Sequence, residues 1–293
     1  MAPARTKIGM VSRSTSRAIS RPPSYRVLAV HYATRQTTLS DAYYRWSTYG
    51  EPDGPLHVSY YFWILEPLHA PGSPPIVLDC GFEPERGERL GRQCLCAPAE
   101  GLARLGIDPA AVDLLVISHI HWDHVGNLHL FPNARMPVAR AELEFWTADP
   151  VAQRPQFAAH ADPHGIELVR RAAADERVEL IEDRADVAPG IAAVRVGGHA
   201  PGQLVFEVAG EHGPIVLASD AIHYDDELEL ERPFGIFTDL ADMYRGYATL
   251  KRLAASGATV VPGHDPSVMN RFAPLDGDAA GLAVCLSDTR SDR

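Results

Sequence analysis

From Tyr25 the chain reads Tyr-Arg-Val-Leu-Ala-Val, the opening of a strand. A polar, aromatic-rich stretch over 35–55 is expected to be a loop. Two apolar runs follow at 58–65 and 76–78, each bounded by Pro or Gly, and both read as strands. Residues 97–105 read as a short helix ending before Gly106. The run 112–117 is short and continuously apolar, as in a strand buried on both faces.

Beyond residue 170 strand-like runs recur at 178–181, 192–196, 204–208 and 215–218. A helix is then signalled by Leu240, Met243, Tyr244, Tyr247, Leu250 and Leu253 at helical spacing, with Thr238 as its expected cap and Gly257 past its end. The last strand is expected at 259–261. Two sets of strands with interspersed helices fit a four-layer αββα sandwich, although the pattern alone fits other α/β folds. Residues 1–24 break from it: Arg5, Lys7, Arg13, Arg17 and Arg21 stand among serines with no acidic residue. Transit peptides share this composition, but the plainer reading is a disordered basic tail, which leaves 25–293 as one domain.

Composition narrows the function. With 46% apolar and 22% charged residues the chain can bury a sizeable core. A formal net charge of −11 argues against gripping nucleic acid, which needs a basic surface, but still permits a small anionic substrate near metal ions. No apolar run approaches the roughly 20 residues of a membrane-spanning helix. Cys80, Cys94, Cys96 and Cys285 form no CxxC pair, so a thiolate zinc site is not expected and a reduced, cytoplasmic protein is the simpler reading.

The chemistry concentrates in Ser118-His119-Ile120-His121-Trp122-Asp123-His124-Val125-Gly126. Four metal-competent side chains fall within six positions, directly after a predicted buried strand. Imidazole and carboxylate are ligand types that zinc and similar metals prefer. On an extended strand end, residues 119 and 121 share one side, and Asp123 and His124 can then face a second point nearby. One turn can therefore serve two metals.

His119-x-His121-x-Asp123-His124 resembles the HxHxDH motif of the metallo-β-lactamase superfamily. Gly197-Gly198-His199-Ala200-Pro201-Gly202 is similar to that family's Gly-His-x-Pro-Gly turn. Leu217-Ala218-Ser219-Asp220 and Val260-Val261-Pro262-Gly263-His264 resemble strands that end in its later ligands. The resemblance spans roughly 25–266, with the specific motifs confined to these short stretches. It implies a first metal held by His119, His121 and His199, a second held by Asp123, His124 and His264, and Asp220 bridging both. Two divalent ions, zinc by family expectation, would activate water. Asp79, in a stretch resembling the family's Asp-x-Gly turn, would orient the histidine loop. Ser118 and Gly126 read as turn geometry.

Within that family the chain looks most like the N-acyl-homoserine lactonase group. It has both the His124 and Asp220 positions that zinc β-lactamases do not combine. Only 29 residues follow His264, too few for the helical domain of glyoxalase II. His121 stands where flavodiiron proteins have glutamate. The large basic insertions of RNA-processing members are absent, and a full seven-ligand set weighs against a persulfide dioxygenase. The implied activity is ring opening of a small-molecule lactone by metal-activated water, with Asp123 relaying a proton to the leaving oxygen. Lactonases of this group place a tyrosine three residues after the bridging aspartate. Here that position is His223, followed by Tyr224, and either can polarise the carbonyl. Tyr43, Tyr44, Trp46, Tyr49, Phe234 and Phe237 are expected to border the pocket, to fill the core or to cover the surface of a homodimer. The alternative activity is a metal-dependent phosphodiesterase or other ester or thioester hydrolase. A basic cluster near the metals would favour the phosphodiesterase, whereas residues 225–232 are mostly acidic.

Overall fold

The computed structural model describes residues 23–289, so all of the expected basic tail except Pro23 and Ser24 lies outside the described residues. Strand β1 (Tyr25–Thr38) pairs antiparallel with β2 (Pro55–Pro67) along their whole length, from Tyr25↔Pro67 to Thr38↔Pro55. Backbone pairing rather than apolar side chains thus decides residues 35–38, which were expected in a loop. A short helical turn (Leu39–Ala42) and a 3-10 turn (Trp46–Tyr49) complete the connection.

Strands β3 (Ile76–Leu78), β4 (Gln93–Cys94) and β5 (Leu115–Val116) extend this half. β6 (Met136–Ala139) and β7 (Val178–Ile181) form a separate parallel pair. The second half contains β8 (Arg184–Ala188), β9 (Ile191–Arg195), β10 (Leu204–Gly210), β11 (Gly213–Ser219) and β12 (Thr259–Pro262). β13 (Phe272–Pro274) and β14 (Ala283–Thr289) return to the first half, where β14 pairs with β1. The main path runs β12-β11-β10-β1-β2-β3-β5.

Strand alternation sorts the core into layers. On β1, Leu28 and Val30 face a cluster that includes Leu102, Trp146, Val169 and Ala172 from the helices of the first half. Val27 and Ala29 face the opposite way, into a cluster with Trp63, Leu204, Phe206 and Leu217 that fills the space between the half-sheets. On β10, Val205 turns outward onto Met243, Tyr247 and Leu250 of the helix Leu240–Ala255. Helix, sheet, sheet and helix make the αββα sandwich. The two strand sets are nevertheless one hydrogen-bonded sheet, because β1 also bridges β10 at Tyr25↔Gly210.

Asp239, not Thr238, caps the last long helix: its carboxylate accepts from the Asp242 backbone N–H at 2.9 Å. The Thr238 hydroxyl donates instead to the Gly198 carbonyl at 3.0 Å, tying the helix start to the loop that carries His199. Helices at Arg140–Ala148 and Pro163–Ala174 were not anticipated from the sequence. No described helix is long and apolar enough to cross a membrane.

Candidate metal centre

Each predicted ligand lies just beyond a strand: the His119–His124 loop after β5, His199 after β9, Asp220 after β11 and His264 after β12. The structure brings all seven together. His121 Nδ1 lies 3.0 Å from His119 Nε2 and 2.9 Å from His199 Nε2. Ligand nitrogens at about 2.0–2.1 Å from a tetrahedral metal stand roughly 3.3 Å apart, so this spacing suits one ion. Asp123, His124 and His264 form a second group, with Asp123 oxygens 3.8 Å from His124 Nε2 and 3.9 Å from His264 Nε2. Asp220 stands between the groups. Its Oδ1 is 3.3 Å from His124 Nε2, and its Oδ2 is 3.1 Å from His264 Nε2 and 3.4 Å from His199 Nε2.

The donor set passes a further test. His264 Nδ1 faces the Ser59 carbonyl at 2.6 Å and His199 Nδ1 faces the Ile236 carbonyl at 2.9 Å, so both donate outward and direct a lone pair inward. His124 Nδ1 faces Asp79 Oδ2 at 2.8 Å, while its Nε2 is buried without a hydrogen-bond partner. The Asp220 carboxylate lies 3.3 Å from that nitrogen. Burial would lower the His124 pKa, but Asp220, Asp79 and Asp123 outweigh burial and raise it well above its usual range, so the surroundings favour positive charge there, which a bound cation would supply. Burial, reinforced by the neighbouring imidazoles, holds His119, His121 and His199 well below the usual histidine range, in the neutral form a metal needs. Burial alone would raise the Asp220 carboxyl, but the surrounding His264, His124 and His223 hold it well below its usual range.

The loops are fastened independently of these contacts. Asp79 accepts from the Ser118 backbone N–H at 2.8 Å and from its hydroxyl at 2.7 Å. Ser118, expected only to shape a turn, also lies 3.0 Å from His119 Nδ1 and 2.9 Å from the Ser219 hydroxyl. Asp79 (φ 59°) and Ser219 (φ 46°) both adopt left-handed backbone, a strained choice for these residues at a strand end beside a site. Glu142, fully buried, accepts from the backbone N–H of Ile120 and of Gly202, each at 2.8 Å, and so joins the loops bearing His121 and His199. A side chain at Gly202 would meet Glu142 Cβ at 2.5 Å. Burial pushes the Glu142 carboxyl up. In the sequence Glu142 looks like any solvated charge.

Above the ligands lies a cavity of ≈ 160 Å³ that reaches His121, Asp123, His199, Asp220 and His264. His223 lines it. The ring stacks on Phe234 with centroids 3.9 Å apart, and Nδ1 lies 3.0 Å from Glu227 Oε1. Its Nε2 is 3.4 Å from Asp220 Oδ2 and has no hydrogen-bond partner. Burial would lower its pKa, but the Glu227 and Asp220 carboxylates outweigh burial and raise it to about 9. Tyr224 points elsewhere: its hydroxyl donates to the His57 carbonyl at 2.6 Å.

Of the aromatic residues expected at the pocket, Phe234 reaches the cavity. Tyr43 and Trp46 are buried behind it with Tyr224, and Tyr49 packs on Trp46. Phe237 lines a neighbouring cavity and meets Tyr44 edge-on. Arg35, Tyr60, Arg92 and His160 also line the main cavity and were not foreseen. For Glu227 a signal existed, since it stands four residues after His223, but it was hidden in the acidic run.

Comparisons with known proteins identify the family and the fold. The profile of the Metallo-beta-lactamase superfamily matches residues 57–264. N-acyl homoserine lactonase AttM of Azorhizobium caulinodans is 34% identical over 177 residues, which are 59% of this chain and 65% of that protein. The protein of the same name from Agrobacterium fabrum is 33% identical over 172 residues, 57% of this chain and 64% of its own length. The chain thus spans slightly less than two thirds of these curated relatives. A quorum-quenching N-acyl homoserine lactone lactonase superposes with a TM-score of 0.69 at 20% identity, covering 85% of this chain and 95% of that one. AidC, a dizinc quorum-quenching lactonase, gives 0.61 at 16% identity, covering 83% and 91%. With its four ligand-bearing loops in the family's order and the profile spanning most of the described residues, the chain belongs to the metallo-β-lactamase superfamily.

Proposed function

We propose that the protein is a dinuclear metal hydrolase, with zinc as the expected metal, that opens the ring of a small lactone. His119, His121 and His199 would hold one ion and Asp123, His124 and His264 the other, with Asp220 touching both. The observation that carries this reading is the convergence of all seven side chains around Asp220, with an orphaned His124 nitrogen among them. Two bound cations supply nucleophilic water at neutral pH and Lewis acidity toward the carbonyl and the leaving oxygen.

The remaining steps fall to the chain. Water adds to the lactone carbonyl, the ring C–O bond breaks, and a proton must reach the departing oxygen. Asp123 lies on the cavity and is placed to carry that proton. His223 is placed to hydrogen-bond the carbonyl oxygen as charge develops there, while Glu227 fixes the ring through Nδ1. Relatives named as N-acyl homoserine lactonases support a lactone over other esters. All four cysteines are free, which suits a reducing compartment such as the cytoplasm.

Arg35 and Arg92 favour a second reading, hydrolysis of a small phosphodiester. A panel of lactones, phosphodiesters and thioesters, followed by pH-stat, separates the two. Turnover of lactones well above the other classes is expected, and phosphodiesters turned over faster would reverse the assignment.

A further inference from the structure

We propose that the cavity wall formed by Arg35 and Arg92 recognises an anionic substituent, so that the preferred substrate is a small lactone bearing a carboxylate. This rests on the lactone-hydrolase reading of the same site.

Both arginines are half-buried and line the cavity that holds Asp123 and His264. Arg26, Arg86 and Arg271 each face a carboxylate. Among the described residues Arg35 and Arg92 do not, and the partners they have there are neutral. Arg35 Nη2 donates to the Thr37 hydroxyl at 3.2 Å. Arg92 Nε donates to the Tyr60 hydroxyl at 3.1 Å, and its Nη1 donates to the Leu90 carbonyl. Asp41 also lines the cavity but pairs with neither among the described residues. A half-buried guanidinium with only neutral protein partners keeps donors free for a ligand, and an anion is the partner that answers them best.

Arg92 is held where such an anion would be useful. Its guanidinium lies 5.3 Å from the Trp122 ring centroid, and Trp122 sits between His121 and Asp123. Its partner Tyr60 packs edge-on against His264 at 4.9 Å. Arg92 is therefore one aromatic ring away from two ligand-bearing segments, and its remaining N–H donors match the planar geometry of a carboxylate. The cavity, at ≈ 160 Å³, is smaller than the roughly 300–1,000 Å³ of drug-sized sites, which favours a compact ring over a long acyl chain. A neutral amide substituent offers a carbonyl acceptor but no charge to answer the guanidiniums.

The test compares a γ-lactone carrying a ring carboxylate with the primary amide of the same lactone, using the two-metal enzyme. The carboxylate form should have the higher kcat/KM, and the preference should weaken with ionic strength. Arg92→Gln and Arg35→Gln should each reduce the carboxylate-to-amide ratio by roughly 10–100-fold, the scale of a hydrogen bond to a charged group. Arg92→Lys should restore part of it. Equal turnover of the two lactones, or a ratio unmoved by both Gln variants, would overturn the inference and leave the lactone-hydrolase reading standing. If neither lactone opens while bis(4-nitrophenyl) phosphate is cleaved, that reading fails instead. Calorimetric binding of the ring-opened dicarboxylate and its monoamide to wild type and Arg92→Gln then decides the anion preference without turnover. Tighter dicarboxylate binding, lost in the variant, supports it, and equal binding refutes it.

Discussion

The metal-ligand loops and the wall of the cavity above them are secured in different ways. In the loops, Asp79 within the first half joins Ser118 to His124, and Glu142 ties the His121 loop to the His199 loop. His199 and His264 are braced by backbone carbonyls, which leave them little freedom to turn. The wall relies on side chains from distant elements: Arg35 from β1, Arg92 beside β4, and His223 braced by Glu227 and Phe234. Side-chain positions of this kind can change with little effect on the backbone. On the proposed reading, the ligand loops would define a metal site in general, while the wall would determine what it acts on.

If this division holds, variants in the two regions should separate metal content from turnover. Asp220→Ala should have the largest effect, lowering the metal found by elemental analysis from about two per chain and reducing activity by more than loss of a single oxyanion donor. Retention of two ions would remove Asp220 from its bridging role. His223→Ala should lower turnover by about 10²–10³, roughly 2.7–4 kcal/mol of barrier, with metal content unchanged. Tyr224→Phe, which removes only a hydroxyl committed to His57, should stay close to wild type. The reverse order would place Tyr224 at the carbonyl. Asp79→Asn should weaken metal affinity by about 10–100-fold in a chelator competition, because the His124 ring loses its carboxylate. Unchanged affinity would mean that the loop is positioned without the Asp79 carboxylate. The smallest effect is expected from deleting residues 1–22, which carry no apolar pattern: Tm and turnover should not move.

The proposed ligands were legible in two ways: His119, His121, Asp123 and His124 lie in one turn, whereas His199, Asp220 and His264 stood out only through the resemblance of their short stretches to the family's motifs. The wall was not legible, because Arg35 reaches the cavity only once β1 is extended by pairing with β2, and Arg92 only through Tyr60 and Trp122. Glu142 and Glu227 were missed for a related reason. Charged residues in short helices are usually solvated, and only tertiary packing shows that these two are buried acceptors. The helix cap moved by one residue because Asp239 and Thr238 are both competent, and the Gly198 carbonyl engages Thr238.

The central place of β1 has a kinetic consequence. Leu28 pairs with Cys285, nearly the whole described chain away, while the same strand holds β2 and touches β10. Contacts of such long range form late, because a large loop must close before they reward the chain. During synthesis the Leu28–Val30 stretch of β1 would stay open on one flank until β14 emerges, and His264 joins the site only shortly before that. Aggregation through that open flank is then a hazard of the nascent chain rather than of the folded protein.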